Sequence, residues 1–174
     1  MPKRIFLIGF MGSGKTTHGK KIARMIAYDF VDMDAWIVGQ EGKSVPQLFA
    51  DEGEAYFRAR ETDAIRELAS REQVVIATGG GAPCHGQNME LMKEAGLVIY
   101  LKFSPAALLS RLMQSKTERP LLTGKSEPEM LETIEKLLAE RETYYAQAHM
   151  ITDGLDASDE SVVNAIQRWS ENSL

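Results

Sequence analysis

The sequence predicts an α/β fold in three layers: a five-stranded parallel sheet with helices on both faces. Three observations carry this reading. Short apolar runs recur at residues 5–8, 30–31, 74–77, 98–101 and 150–151. Stretches with helical spacing separate them. Glycines and aspartates stand directly after the first three runs. Strands apolar on consecutive residues need cover on both faces, which helical crossovers between parallel strands supply. Ligands in such folds bind at the carboxyl ends of the strands.

The elements follow in order. The first strand, 5–8, ends at Gly9, and a helix is expected from about 15 to 27. The second strand stops at Asp32. A helical region then carries Val45, Leu48 and Phe49, opened by Ser44 before Val45-Pro46 as N-cap and first turn. A longer helix spans about 54–70. The third strand, 74–77, ends in Thr78-Gly79-Gly80-Gly81. A helix at 87–94 stops at Gly96. After the fourth strand, Ser104-Pro105 opens a helix to about 113. Residues 114–126 contain Pro120 and Gly124 and read as irregular. A helix rich in Leu and Glu covers about 128–148, then the weak fifth strand and a closing helix at 158–170.

Composition narrows the function. The chain has 174 residues, enough for one domain, and an apolar fraction of 44%, enough for a core. A net charge of −5 offers no basic footprint, so no nucleic-acid partner is expected. An anionic substrate would need a local cationic pocket. One cysteine, Cys84, excludes an intrachain disulfide and suits a reducing compartment. The start, Met1-Pro2-Lys3-Arg4-Ile5, has no long apolar segment behind it, and no apolar run reaches the ~18 residues of a membrane span. The expectation is a cytoplasmic protein, monomeric, with no membrane partner.

Residues 9–16, Gly9-Phe10-Met11-Gly12-Ser13-Gly14-Lys15-Thr16, fit the G-x-x-x-x-G-K-[ST] phosphate loop between a strand and a helix start. Glycines let backbone N–H groups converge on phosphate oxygens, and the helix N-terminus adds positive potential. Lys15 reaches the β- and γ-phosphates, and the Thr16 hydroxyl is a hard ligand for Mg²⁺. Asp32 ends the second strand opposite this loop, where it reaches the same ion. The residues alone leave Asp32 and Asp34 open between functional roles opposite the loop and that of turn formers. Three consecutive glycines carry a high backbone entropy cost, which points to a close approach of the backbone.

The phosphate loop, Asp32-Met33-Asp34, Phe57-Arg58, Gly79-Gly80-Gly81, Arg119-Pro120-Leu121-Leu122 and Arg141 with Tyr145 together resemble the shikimate kinase family. The match runs in order over roughly residues 4–150. The resemblance implies a P-loop kinase fold as a single domain over 1–174, with a substrate-binding helical segment at about 33–61 and a mobile lid at about 112–125. It implies phosphoryl transfer from ATP, with Mg²⁺, to the 3-hydroxyl of shikimate, a step toward chorismate and the aromatic amino acids. It makes Asp34, Lys15 and Arg119 the catalytic residues. Asp34, Arg58, Gly80, Gly81 and Arg141 would bind the substrate. Gly12, Ser13, Gly14, Lys15, Thr16, Thr17, Arg111 and Arg119 would bind the nucleotide, and Thr16 and Asp32 the metal.

These roles suit the chemistry. The acceptor carries one carboxylate and three hydroxyls, and an arginine fork clamps a carboxylate through two parallel bonds. On sequence alone Arg58 reads equally well as a surface ion pair with Glu54 or Glu61, and Glu61 is a candidate brace for it. Arg141 sits in a charged helix, where solvent exposure is the ordinary expectation. Met11, Phe49 and Phe57 would form apolar walls. The lid lacks glycine over 113–118, unlike many members of the family. His18, His85 and His149 are isolated, without metal-ligand spacing. A gluconate or nucleotide kinase of the same fold, and an ATP-driven switch, remain the alternatives. A nucleotide acceptor would need a base-reading pocket, and a switch a partner surface.

Overall fold

The computed structural model describes residues 1–115, 122–154 and 158–172. Five strands, β1 (Arg4–Ile8), β2 (Asp29–Asp32), β3 (Val74–Ala77), β4 (Leu97–Lys102) and β5 (Met150–Asp153), form one sheet in the order β2-β3-β1-β4-β5. Every pairing is parallel. The helices are α1 (Lys15–Ile26), α2 (Met33–Glu41), α3 (Val45–Glu52), α4 (Glu54–Leu68), α5 (Asn88–Ala95), α6 (Pro105–Gln114), α7 (Glu127–Tyr145) and α8 (Asp159–Asn172).

The alternation of side chains along each strand divides the core. Phe6, Ile8, Ile76, Val98 and Tyr100 face the layer that contains Ile37, Ile65, Leu68, Met92 and Tyr145. Ile5, Leu7, Val75, Ile99 and Leu101 face Ile22, Val162 and Ile166 on the other side. A third cluster, with Phe10, Phe103, Leu108, Leu112 and Ile134, joins α6 to α7 beside the phosphate loop.

Caps set the helix starts where the sequence places them. Ser44 and Gln47 form a capping box on α3, and Ser104 accepts from Ala107 N on α6. Helix α2 is the one α-helix without its own sequence expectation. Asp32, read as a strand end, also caps it: its Oδ1 accepts from Ala35 N at 3.2 Å. The buried pair Met33 and Ile37, four residues apart, was the available signal. A short 3-10 turn, Ala82–Cys84, follows the glycines. Helix α7 ends at Tyr145, three residues earlier than expected.

The strand order puts the functional ends together. The C-terminal end of β3 lies between those of β1 and β2, with Leu7 opposite Ala77 and Asp32 opposite Ala77. The phosphate loop, the glycine turn and Asp32–Asp34 therefore emerge side by side. Among the described residues no helix is long and apolar enough to cross a membrane.

One packing constraint tests the sheet directly. At Gly96, just before β4, an added Cβ would lie 2.4 Å from the carbonyl oxygen of Arg4. Backbone cannot yield as a side chain does, so Gly96→Ala should destabilise the fold by about 1–3 kcal/mol, read as a lowered urea midpoint with an unchanged m-value. An unchanged midpoint would contradict this packing.

Candidate active site

A cleft of about 750 Å³ runs across the carboxyl ends of β1, β2 and β3. Gly12, Gly14, Lys15, Thr16, Thr17 and Arg111 line one end. Asp34, Arg58, Gly79, Gly80, Gly81 and Arg141 line the other. The structure thus brings the described sequence-predicted residues into one depression, and buries Ser13 beneath the loop. Arg119, with Pro120 and Leu121, lies outside the described residues, as does the middle of the expected lid, residues 116–121.

The phosphate loop has the conformation its glycines permit. Gly12 and Gly14 adopt φ of 81° and 85°, a region that costs other residues strain. Lys15 caps the loop from within: its Nζ donates to the carbonyls of Gly9 at 2.8 Å and Phe10 at 2.9 Å. The Ser13 hydroxyl is fully buried and has no hydrogen-bond partner. Arg111 donates from Nε to Gly12 O at 2.7 Å, and its guanidinium lies 4.8 Å from the Phe103 ring centroid.

Thr16 and Asp32, the two residues expected at the metal, lie side by side. Thr16 Oγ1 donates to Asp32 Oδ2 at 2.7 Å. A hydroxyl and a carboxylate side by side at a phosphate loop suit a hard cation such as Mg²⁺.

The acceptor end is built around the glycine turn. A Cβ on Gly79 would sit 2.9 Å from both Asp34 Oδ1 and Glu61 Oε1. One on Gly81 would sit 2.8 Å from Arg58 Nη1, and one on Gly80 3.4 Å from Arg141 Nη1. The close approach inferred from the glycines is thus first an approach to the site's own charged side chains. The Tyr145 hydroxyl donates to Gly80 O at 2.5 Å, which ties α7 and its Arg141 to the turn. Arg141 also lies 5.3 Å from the Phe10 ring centroid. Phe49 and Phe57 stand 4.8 Å apart and form one wall, with Met11 and Val45.

Arg58 makes both ion pairs that its helical spacing offers. Its Nη1 donates to Glu61 Oε2 at 2.7 Å, and its Nη2 to Glu54 Oε1 at 3.2 Å. The two partners differ: the Glu54 side chain is 63% exposed and that of Glu61 1%. An exposed pair contributes little, so the Glu54 contact holds Arg58 weakly, whereas buried Glu61 fixes the guanidinium. Burial pushes the Glu61 carboxyl up to about 7, against the pull of Arg58 and with some help from the Asp34 charge.

Other residues have quieter places. Burial pushes the Cys84 thiol up to about 11, so it is not a reactive thiolate at neutral pH. His149 Nδ1 accepts from Val98 N at 3.1 Å and serves the sheet. Among the described residues no three His, Cys, Asp or Glu side chains cluster as a metal site. Thr78, Gln114 and Ser115 also line the cleft. No local motif marked them; only the strand order and the end of α6 bring them there.

The comparisons with known proteins agree with this geometry. The family described as shikimate kinase matches residues 11–171. The chain belongs to the shikimate kinase family. A shikimate kinase of Parabacteroides distasonis is 43% identical over 164 residues, covering 94% of this chain and 95% of that protein. One from Moorella thermoacetica is 42% identical and covers 99% of both. The crystal structure of shikimate kinase from Bacteroides thetaiotaomicron superposes with a TM-score of 0.90 at 41% identity, over 98% of this chain and 99% of that one. A gluconokinase of Sinorhizobium meliloti, 17% identical with a TM-score of 0.62, shares the fold alone.

Glu61 gives the site a pH signature. Its folded pKa lies above the ordinary value of 4.5, so the folded state holds the proton more tightly. Stability from this group is present below about pH 4.5 and is lost as pH rises through about 7, by roughly 3 kcal/mol in all. Glu61→Gln should flatten the decline of stability over that window, measured by urea denaturation at several pH values. An undiminished decline would place the titration elsewhere.

Proposed function

We propose that this chain transfers the γ-phosphoryl group of MgATP to the 3-hydroxyl of shikimate, giving shikimate 3-phosphate and ADP. The observation that carries the reading is the convergence of Arg58 from α4 and Arg141 from α7 on the glycine turn. Asp34 approaches the same turn at Gly79, and all three side chains line the cleft together with the phosphate loop. Two arginines over backbone glycines suit a small carboxylate, and Asp34 suits a hydroxyl next to it. Membership of the family and the match to an Acinetobacter baumannii shikimate kinase in complex with shikimate support the same acceptor; that structure is 34% identical, with a TM-score of 0.85.

In this reading Arg58 and Arg141 clamp the substrate carboxylate, with Glu61 bracing Arg58. The N–H groups of Gly80 and Gly81 and the Asp34 carboxylate hold the ring hydroxyls. Asp34 accepts a hydrogen bond from the attacking hydroxyl and aims its oxygen at the γ-phosphorus. The new O–P bond forms as the bond to the β,γ-bridging oxygen breaks, and the hydroxyl proton leaves toward Asp34. The transition state is loose, so positioning carries most of the rate. Lys15 leaves its loop carbonyls for the β- and γ-phosphate oxygens. Thr16 and Asp32 would hold Mg²⁺, which supplies charge neutralisation at those oxygens. Gly12, Ser13, Gly14 and Thr17 complete the phosphate cradle, and Arg111 borders the nucleoside. Arg119 is assigned to the lid by its family motif, where it would neutralise the transferring group and exclude water.

The same reading takes residues 1–174 as one domain acting as a cytoplasmic monomer, with segments 33–61 and 112–125 as substrate-binding region and lid. Its product feeds aromatic amino-acid synthesis.

ADP release from MgATP in a coupled assay tests the acceptor. Release should require shikimate and not occur with gluconate or a nucleoside monophosphate; release with either of those would overturn the assignment. Lys15→Ala should abolish turnover. Arg58→Ala should raise the KM for shikimate by more than about tenfold, as expected for a lost charge-assisted contact, with a smaller change in kcat. An unchanged KM would remove Arg58 from the clamp.

A further inference from the structure

We infer that His18 and Asp159 form a positioning pair that fixes the wall of the cleft at its nucleoside end. This rests on the reading that nucleotide phosphates occupy the loop at residues 9–16. The acceptor end of the cleft carries Asp34, Arg58 and Arg141, so the nucleoside leaves at the opposite end, past Gly12, Gly14 and Arg111.

His18 stands one turn into α1 from Lys15. Its ring rests on the last glycine of the loop: a Cβ at Gly14 would lie 2.9 Å from His18 Cδ2. The same Cβ would lie 2.9 Å from Arg111 Nη2. Gly14 is therefore held between an imidazole and a guanidinium. The imidazole is itself held, since His18 Nδ1 lies 2.6 Å from Asp159 Oδ1. An ionised carboxylate only accepts, so Nδ1 carries the proton and donates. Burial pushes the Asp159 carboxyl up, but hydrogen bonds from His18 and Lys21 hold it below its ordinary value.

The position of Asp159 gives the contact its meaning. The chain leaves β5 at Gly154 and enters α8 at Asp159. Gly154 N donates to Lys102 O at 2.8 Å, and a Cβ there would run into the Phe103 ring at 1.9 Å. Phe103 in turn carries Arg111, which holds Gly12 O. The two anchors thus reach the two sides of one loop: Gly154 through Phe103 and Arg111, Asp159 through His18. Apolar packing of Ile22 against Val162 already joins α1 to α8. The ionic pair adds direction, because it sets where the start of α8 stands relative to Gly14.

The test compares two probes in calorimetric titrations of the full chain: MgADP, and magnesium tripolyphosphate, which has no nucleoside. His18→Ala and Asp159→Ala should each weaken MgADP binding by about fivefold to tenfold, the scale of one ordinary hydrogen bond. The double variant should be no worse than either single one. Tripolyphosphate should bind all of them alike. His18→Asn should restore most of the MgADP affinity, because its amide nitrogen takes the place of Nδ1. Unchanged MgADP binding in His18→Ala would overturn the inference. Equal weakening of both probes would also overturn it, since the pair would then serve only the loop's fold. A parent chain that binds neither probe would instead overturn the nucleotide reading itself.

Discussion

The site depends on a turn whose glycines let the site's own charged side chains come close to the backbone. Gly79, Gly80 and Gly81 end β3 at the middle of the cleft, and each meets a charged group from a different element: Asp34 on α2, Glu61 and Arg58 on α4, Arg141 on α7. A methyl group at Gly79 or Gly81 would displace the groups that define the acceptor end. The same turn is tied from behind by Tyr145, whose hydroxyl reaches Gly80 O. Three helices are thereby aligned against one stretch of backbone, and the stretch is aligned by β3 with the phosphate loop beside it.

Electrostatics complete what sterics begin. The chain is acidic overall, at −5, yet its acceptor end collects two arginines. Glu61 offsets this concentration of positive charge from below, and its burial keeps it near half-ionised at neutral pH. The buried Glu61 carboxylate orients the Arg58 guanidinium through Nη1 and leaves Nη2 to exposed Glu54. At the other end Lys15 and Arg111 line the cleft, and among the described residues that line it there Asp32 carries the carboxylate, paired with Thr16.

Much of this was legible in the sequence, for identifiable reasons. The five strands were, because apolar runs on consecutive residues have few other fates in a chain of this size. The phosphate loop was, because its spacing is set by its own backbone. Helix α2 was not: Asp32 reads as the end of β2 and is at once the cap of the next helix, so no linker announces the boundary. The role of Arg58 stayed open because helical spacing offers it Glu54 and Glu61 equally; which of them is buried depends on how α4 packs, a tertiary fact. His18 is the extreme case. Its partner lies 141 positions away, and an isolated histidine in a helix carries no local sign of that contact.

In the proposed function a carboxylate on the acceptor is held between Arg58 and Arg141 over the glycine turn. Calorimetric titration of shikimate against its neutral carboxamide measures this most directly. The carboxamide should bind more than about tenfold more weakly, and the difference should disappear when Arg58 and Arg141 are both replaced by alanine. Equal affinity for the two compounds in the unaltered protein would contradict the clamp and, with it, the arrangement of the acceptor end.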